Sequence, residues 1–313
     1  MHALLARLED RVDPMVAIGV AVVAVSTSAI LVRLSDAPSL VKACYRVLFM
    51  TLTVAPLLPR YLPELRDIEP RDLLFATLAG IGLAAHFAAW FESLEWTTVA
   101  ASVTLVQTQP AFVAVGAWLL LDERLTSRMV GGILVAMAGV VAMTLGDPLI
   151  AALLGDAPVL DTLARTFVGS GHLYGDVLAV IGAIMAAAYM LAGRSIRQRL
   201  SLVPYVFVVY GVCTITLFGV TASQGIPLLG YPTNEWLLFA GMALGPGLFG
   251  HTIINWALKH VESSVVSVSL LGEPVGSAVL ALALFTEVPG PATIAGGAVV
   301  LLGIFVTSRA RTM

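Results

Sequence analysis

Apolar residues are concentrated in ten long runs, and the short segments between these runs hold nearly all the charged residues. A membrane-spanning α-helix needs roughly 20 mostly apolar residues in succession. Each run is close to that length, so the pattern predicts an all-α, polytopic membrane protein with ten transmembrane helices. The predicted helices cover residues 15–34, 39–59, 72–94, 97–121, 128–146, 173–193, 202–223, 236–258, 264–286 and 290–308.

The composition indicates that lipid is the solvent for these helices. Of the 313 residues, 58% are hydrophobic and 12% are charged, a balance that a soluble domain could not bury in one core. The only cysteines, Cys44 and Cys213, fall within apolar runs, which argues against a disulfide framework or a metal cluster. We expect no metal and no other cofactor. The formal net charge of −3 gives no reason to expect a nucleic-acid partner.

Lysine and arginine are distributed unequally between alternate loops. If the N-terminus is cytoplasmic, only Arg33, Lys42 and Arg165 face outwards, and Arg46 lies within the second helix. Because cytoplasmic loops carry an excess of basic residues, we expect a multi-pass protein of the cytoplasmic (inner) membrane with both termini in the cytoplasm. The inward-facing basic residues are then Arg7, Arg11, Arg60, Arg66, Arg71, Arg124, Arg128, Arg194, Arg197, Arg199, Lys259, Arg309 and Arg311.

This topology divides the chain into five segments. The long connection between the fifth and sixth helices carries three aspartates against one arginine, which suits an external loop, and its Leu-rich stretch 149–163 either lies at the membrane interface as a short helix or is not helical. The predicted segments are a cytoplasmic N-terminal segment 1–14, a five-helix unit 15–146, the external loop 147–172, a second five-helix unit 173–308 and a cytoplasmic tail 309–313.

The two units are related by a constant offset of 164 residues. At this offset Pro110 coincides with Pro274 and Glu123 with Glu287, and no gap is needed. Because five is an odd number of helices, the two units must cross the membrane in opposite directions, as the inverted repeats of secondary transporters do. The paired glycines Gly132 with Gly139 and Gly296 with Gly303 also coincide, and we interpret them as sites of close helix packing.

Several duplicated motifs resemble those of the EamA-type transporters of the drug/metabolite transporter superfamily. The first unit has Gln109-Pro110, then Asp122-Glu123-Arg124-Leu125 and Gly131-Gly132. The second has Glu273-Pro274, then Thr286-Glu287 and Gly296-Gly297. Ala43, Tyr45-Arg46, Gly250-His251 and Asn255-Trp256-Ala257-Leu258 also resemble this family. The resemblance implies ten helices around a central cavity and export of metabolites or amino acids. The first unit has Gln109 where the second has Glu273, which counts against any role that needs two acidic groups.

Arg46 is predicted to lie deep in the second helix, about 12 Å from the membrane surface at 1.5 Å per residue. A buried arginine costs several kcal/mol unless it is paired or hydrated. It is either part of an anion or carboxylate site in the cavity or a structural partner of helix carbonyls or of a neighbouring acid.

Two helices each carry a polar stripe. His86 and Trp90 are four residues apart in the third helix, and His251 and Asn255 repeat that spacing in the eighth. We interpret both stripes as cavity linings, with hydrogen-bonded packing as the alternative. Trp90, Trp256 and Tyr189 are candidates for flat apolar walls, although lipid or helix packing explains any single aromatic residue equally well.

Polar residues also lie beside the two prolines. Gln107 and Gln109 precede Pro110, and Glu273 precedes Pro274. Because transporters place binding sites at broken helices near the midplane, these residues are the strongest cavity candidates. Desolvation favours the neutral form of an unpaired carboxyl, so Glu273 is a candidate for proton coupling; the alternative is a structural hydrogen bond. Pro246, between two glycines, is a candidate bend in the eighth helix.

Glu123 and Glu287 are predicted to close the fourth and ninth helices at opposite membrane faces. Their roles are either capping or gate contacts, with Arg124, Arg128 or other interfacial groups as partners. We favour the structural role.

Three classes of function fit a membrane protein of this size. Lys42 and Lys259 precede Ala43 and His260, so no P-loop is present, and the chain has no signalling domain or pore loop typical of a sensor or channel. The sequence favours a secondary transporter, not an enzyme, that moves an amphipathic metabolite such as an amino acid, with a small solute, membrane lipid and protons as partners. The alternative is an intramembrane enzyme that uses His86, His251 and Glu273 on a membrane-embedded substrate, although no HExxH pair or serine elbow supports it.

Overall fold

The computed structural model describes residues 12–97, 99–154, 158–161 and 172–310. Across these residues the regular structure is helical, with no strand. Ten helices in the described part of the chain are long and apolar enough to cross a membrane. The predictions of an all-α fold and of ten transmembrane helices are therefore confirmed.

We number the ten helices α1 to α10 in chain order. Six of them consist of one α-helical segment each, and α2, α4, α8 and α9 are built from more than one. The continuous helices are α1 Pro14–Arg33, α3 Pro70–Trp96, α5 Ser127–Leu154, α6 His172–Ile196, α7 Leu202–Ser223 and α10 Pro291–Arg309. The divided helices are α2 (Ser39–Val54, a 3-10 stretch Ala55–Tyr61, and Leu62–Arg66), α4 (Val99–Val106 and Gln109–Leu120), α8 (Thr233–Met242, a π-helical stretch Ala243–Thr252, and Ile253–His260) and α9 (Ser263–Ser269 and Gly272–Phe285).

The end of α5 differs from the sequence-based expectation. The helix continues beyond residue 146 to Leu154 instead of giving way to a loop. Residues 149–154 are leucine, isoleucine and alanine, which fit a helix well. The carboxylate of Asp147 accepts hydrogen bonds from the backbone N–H groups of Ala292 (2.9 Å) and Thr293 (3.2 Å) and so caps the first turn of α10. Residues 155–157 and 162–171 of the connection, like most of the predicted terminal segments, lie outside the described residues.

The first helix of each five-helix unit packs against helices of the other unit. Helix α1 packs against α8 and α9, and α6 packs against α3 and α4. Helices α2 and α7 are neighbours, and α5 lies along α10. The core is therefore built largely from contacts between the units.

The contact between α5 and α10 depends on the paired glycines. A Cβ atom at Gly139 would lie 2.6 Å from the backbone nitrogen of Val300 and 2.8 Å from the carbonyl oxygen of Gly296. A Cβ atom at Gly296 would in turn lie 2.7 Å from the carbonyl oxygen of Gly139. Gly132 and Gly303 face α10 and α5 at similarly short distances. The prediction that these glycines permit close helix packing is confirmed.

Replacing Gly139 by alanine is expected to destabilise the protein. The new methyl group would meet backbone atoms of α10, which can give way only by separating the helices, and such overpacking costs about 1–3 kcal/mol. Gly131 is the matched control, because a Cβ atom there meets nothing within 4 Å. Removing a helical glycine gains up to about 1 kcal/mol, so Gly131→Ala should raise the melting temperature of the purified protein and Gly139→Ala should lower it. Equal melting temperatures for the two variants would contradict the packing described.

Helices α4 and α9 end with the same backbone geometry. Asp122 (φ 55°) and Thr286 (φ 56°), which are 164 residues apart, both adopt the left-handed conformation. The following residue then donates its N–H group back across the helix end, from Glu123 to the carbonyl of Ala117 and from Glu287 to the carbonyl of Ala281. This pattern terminates an α-helix by satisfying its last carbonyls. It therefore fixes the two glutamates at equivalent positions in the two units.

Candidate functional site

Polar side chains flank the interruptions of α4 and α9. Helix α4 stops at Val106 and resumes at Gln109, and α9 stops at Ser269 and resumes at Gly272. Pro110 and Pro274 lie in the first turn of the resumed segments, where a residue without an N–H group leaves no hydrogen bond unmade. Side chains beside each interruption remain partly exposed although they are central in their helices; they are Gln107, Gln109 and Glu273.

Glu273 is anchored through its backbone and not through its carboxylate. Its carbonyl oxygen accepts a hydrogen bond from the Ser26 hydroxyl (3.2 Å), and the Ser277 hydroxyl donates to the carbonyl of Ser26 (3.0 Å), which fastens α9 to α1. Among the described residues, no hydrogen bond or ion pair engages the Glu273 carboxylate. Arg46 is near enough for electrostatic interaction. The carboxylate therefore keeps its capacity to bind a cationic group or a proton.

Gln109 of α4 occupies the sequence position equivalent to Glu273 of α9, but its surroundings differ. The Gln109 amide nitrogen approaches the sulfur of Met190 on α6 at 2.7 Å. Thioether sulfur is a weak acceptor, so much of the hydrogen-bonding capacity of this amide stays unused. Gln107 is half-buried and lies two residues before the resumed segment.

Arg46 joins α2 to the irregular part of α8. Its side chain is buried, its Nη1 donates to the Ser28 hydroxyl (3.2 Å), and its Nη2 lies 3.5 Å from the carbonyl oxygen of Pro246. Pro246 lies in the π-helical stretch, where a wider turn leaves carbonyls without their usual partners. The guanidinium also lies over the ring of Phe87 at 5.1 Å, in cation–π geometry. Its Nε finds no hydrogen-bond partner in the described part of the chain.

The polar stripes of α3 and α8 meet at Phe87. His86 uses Nδ1 to contact the carbonyl oxygen of Gly182 (2.9 Å) and stacks on Trp90 with a centroid separation of 5.8 Å. His251 lies 5.9 Å from the Phe87 ring and 6.3 Å from the ring of Tyr189. No described residue offers a hydrogen-bond partner to the buried Nε1 of Trp90 or to Nδ1 of His251. This cluster therefore keeps unused hydrogen-bonding groups next to the Arg46 guanidinium.

Asn255 belongs to a fully buried network behind this cluster. Its amide nitrogen donates to the carbonyl of His251 (2.8 Å) and to the hydroxyl of Tyr189, and lies 3.4 Å from the hydroxyl of Tyr210. Tyr210 also shares a hydrogen bond of 3.1 Å with Thr252. The network joins α6, α7 and α8. Its hydrogen bonds stabilise the junction of these helices, and its buried members present little surface to a solute.

The sequence-based candidates thus fall into three groups. Arg46, His86 and His251 lie around Phe87, Trp90 stacks on His86, Tyr189 lies beside His251, and Asn255 is behind them. The polar residues of α4 and α9 flank the helix interruptions. Trp256 lies apart, buried against the His260 ring at 4.3 Å. Sequence reasoning missed Phe87, Ser28, Tyr210 and Thr252. Ser28, Tyr210 and Thr252 could have been recognised from the sequence, because each places a hydroxyl group within an apolar run. Phe87 could not, because a phenylalanine is ordinary in such a run.

Glu123 and Glu287 occupy different environments. Glu123 is buried, and its carboxylate accepts hydrogen bonds from the Arg194 Nε (3.2 Å) and from the backbone N–H and hydroxyl of Ser263 (both 3.1 Å). Glu287 is half-exposed and pairs with Arg33 at 2.6 Å. Among the described residues, these partners come from α1, α6 and α9.

Residues near the membrane faces also tie the units together. Arg199, between α6 and α7, binds Asp72 of α3 through two hydrogen bonds of 2.6 and 3.1 Å. The hydrogen bond to this carboxylate raises the pKa of Arg199, so the pair remains ionised. Glu235 at the start of α8 similarly holds the Ser35 hydroxyl and the backbone N–H of Asp36, between α1 and α2. In each case an acid at the start of the third helix of one unit holds the first loop of the other.

Comparison with known families assigns the class of this protein. Two segments, residues 12–145 and 173–309, each match the model of the EamA-like transporter family. Together they cover most of the chain, so the protein belongs to this family, and its ten long apolar helices make it a multi-pass membrane protein. The two matches also agree with the duplication that the sequence offset indicated.

Individual relatives are distant. The chain is 24% identical over 226 residues to the uncharacterized inner membrane transporter YhbE of Escherichia coli (strain K12), a match that spans 71% of this chain and only 66% of that protein. It is 24% identical over 240 residues to an uncharacterized transporter of Archaeoglobus fulgidus, covering 75% and 76% of the two chains. It is also 22% identical over 233 residues to the pseudopaline exporter CntI of Pseudomonas aeruginosa, covering 74% of each.

A crystal structure of another protein shares the fold. The TM-score is 0.75 at 21% sequence identity, and the alignment covers 96% of this chain and 97% of the other. At this identity the likeness defines the architecture alone. It shows that the arrangement of ten helices is shared over nearly the whole chain.

Proposed function

We propose that the protein is a secondary transporter that exports a small amphipathic metabolite across the cytoplasmic membrane by alternating access. The observation that carries this proposal is the set of partly exposed polar side chains at the two helix interruptions, Gln107, Gln109 and Glu273. Buried polar groups in a membrane are costly unless they are used. Broken helices near the membrane centre are where secondary transporters bind their solutes.

The proposed topology has two inverted five-helix units and both termini in the cytoplasm. Two observations support the inversion: each unit has an odd number of helices, and each first helix packs against the third and fourth helices of the other unit. The excess of basic residues in alternate loops supports the orientation. The cavity would lie between α3, α4, α8 and α9.

The chemistry of the candidate site favours an amphipathic solute. Aromatic rings at Phe87, Trp90 and Tyr189 supply apolar walls, and the few charged groups are Arg46 and Glu273. Sites that combine such walls with a few placed polar groups suit small molecules. An amino acid or similar metabolite fits this description, and the name of the exporter CntI supports the outward direction.

An intramembrane enzyme is the alternative function. It would use His86, His251 and Glu273 as acid, base or ligands. The unpartnered Nδ1 of His251 is the observation in its favour. Two observations count against an enzyme. The Nδ1 of His86 is hydrogen-bonded to a backbone carbonyl. General base catalysis requires contact between the base and a nucleophile, and no contact among the described residues links either histidine to one.

Transport by sealed proteoliposomes tests the proposal. A ligand for the assay is found first by a thermal-shift screen of purified protein against metabolites, because a molecule that binds the folded state raises its melting temperature. We expect saturable movement of the unaltered, labelled ligand, with protein-free liposomes as the control. Recovery of a chemically altered ligand would support the enzyme instead, and a flux that rises linearly with concentration would contradict a carrier.

A further inference from the structure

The two segments of α9 have opposite exposure. Every residue of Ser263–Ser269 is buried, whereas Gly272 is the only buried residue of Gly272–Phe285. A helix in contact with lipid on one side and protein on the other should bury a stripe of residues along its whole length. The second segment contacts α1 and α10, but apart from Gly272 its side chains stay partly or fully exposed, so it packs less tightly than the first segment.

The equivalent part of α4 packs normally. In Gln109–Leu120 one face is buried, and Ala117 on this face has no exposed surface. The residues 164 positions later are all partly exposed. The buried face consists of Pro110, Val113, Ala114 and Ala117, and its counterparts are Pro274, Ser277, Ala278 and Ala281.

The difference lies in what each segment packs against. The first segment of α9, Ser263–Ser269, packs against the second segment of α4, Gln109–Leu120. The mirrored contact, between Val99–Val106 and Gly272–Phe285, has no comparable extent in the described part of the chain. The two units therefore match in sequence pattern and differ in packing, as two halves of an alternating-access carrier must when one side is closed and the other open.

Polar contacts reinforce the closed side. The buried Glu123 carboxylate binds the start of α9 through Ser263 and binds α6 through Arg194. Arg194 in turn donates to the carbonyl oxygens of Leu258 (2.8 Å) and Lys259 (3.3 Å) at the end of α8. On the open side, the partner of the equivalent Glu287 among the described residues is Arg33, and the two side chains are 48% and 59% exposed.

We propose that this structure is the conformation closed at the Glu123 face and open at the Glu287 face, and that Glu123, Arg194 and Ser263 form the latch that holds it. Release of this latch allows Gly272–Phe285 to pack against Val99–Val106, which closes the opposite face. The inference rests on the alternating access proposed above. In the orientation proposed for the chain, the latch is cytoplasmic.

Cysteine accessibility tests the latch without a known solute. The native Cys44 and Cys213 are buried and are replaced by serine. Ala117→Cys and Ala281→Cys are then made singly, and the detergent-purified protein is labelled with a membrane-impermeant maleimide. We expect rapid labelling of the Ala281→Cys protein and protection of the Ala117→Cys protein.

Glu123→Gln keeps the side-chain volume and removes the charge. Because hydrogen bonds to charged groups are the stronger ones, we expect it to speed labelling of the Ala117→Cys protein by about tenfold and to slow that of the Ala281→Cys protein. Asp122→Asn is the matched control, since it removes one carboxylate from an exposed neighbour whose left-handed conformation asparagine tolerates. Ser263→Ala, which removes one hydrogen bond to Glu123, should act in the same direction and more weakly.

Three results would overturn the inference. These are equal labelling of the two sites in the parent protein, the same effect from Asp122→Asn as from Glu123→Gln, and no change with either Glu123→Gln or Ser263→Ala. Labelling needs no solute, so it can be judged separately from transport. If the labelling results contradict the latch while flux is saturable, only this inference is rejected. If labelling changes as expected while no saturable flux is found, the latch is supported and the proposed solute transport is rejected.

Discussion

Glu273→Gln is expected to abolish solute accumulation driven by a pH gradient in proteoliposomes. A gradient of one pH unit stores about 1.4 kcal/mol per proton, which is a tenfold concentration ratio for one proton exchanged per solute molecule. Glutamine keeps the shape of the side chain and carries no titratable proton, so this ratio should fall to about one while passive exchange continues. The measurement is the steady-state ratio of labelled solute with and without the gradient.

The structural basis for this prediction is the Glu273 carboxylate, which has no hydrogen-bond or ion-pair partner among the described residues. Glu95→Gln is the matched control, because it makes the same change at an exposed position near the end of α3 and should leave coupling intact. If the accumulation ratio of the parent protein is the same with and without the gradient, transport is not coupled to protons. Full accumulation by the Glu273→Gln variant would assign the proton to another group.

Arg46→Ala is expected to lower transport strongly while the protein still folds. A hydrogen bond to a charged group contributes about 1.5–3 kcal/mol, so loss of one bond to the solute weakens binding roughly tenfold to a hundredfold. Stability should change less, because removing a buried charge also removes its desolvation cost. Initial rates at several solute concentrations, together with melting temperatures, separate the two effects.

Arg60→Ala is the control for Arg46, since it removes an exposed arginine outside the site. Arg46→Lys tests whether the planar guanidinium is needed, because lysine keeps the charge and loses the pair of parallel donors. Flux at the parent level with normal expression of Arg46→Ala would make Arg46 structural, as its contacts with Ser28 and the Pro246 carbonyl allow. Loss of folding in both variants would support the same structural role.

The helices were predictable because their cause is local. A run of apolar residues long enough to cross a bilayer must satisfy its own backbone hydrogen bonds, so each run becomes a helix whatever surrounds it. The close packing of α5 and α10 was predictable for a similar reason, since glycines seven residues apart share one helix face. The boundary of α5 was less predictable, because Asp147 resembles a loop residue until its role in capping α10 is known.

Partners within the site were not predictable, because they depend on distant parts of the chain. Glu123 could be assigned to a helix end but not to Arg194 and Ser263, which lie 71 and 140 residues away. Trp256 carries the same signal as Trp90 in the sequence and faces His260 instead. Phe87, in contact with Arg46 and both site histidines, is one apolar residue among many in its helix.

The sequence by itself determined that this chain is a ten-helix membrane protein of the EamA-like transporter family, with two segments that each match the family. Hydrophobic length, duplicated motifs and family membership all follow from the order of residues. Only the tertiary structure decided how each unit is packed. Glu123 and Glu287 have equivalent sequence positions and the same local backbone, yet one is buried among several partners and the other is exposed with one. The physical reason is that the partners of each glutamate come from distant parts of the chain, so equivalent local sequence and backbone do not decide which of the two side chains is buried.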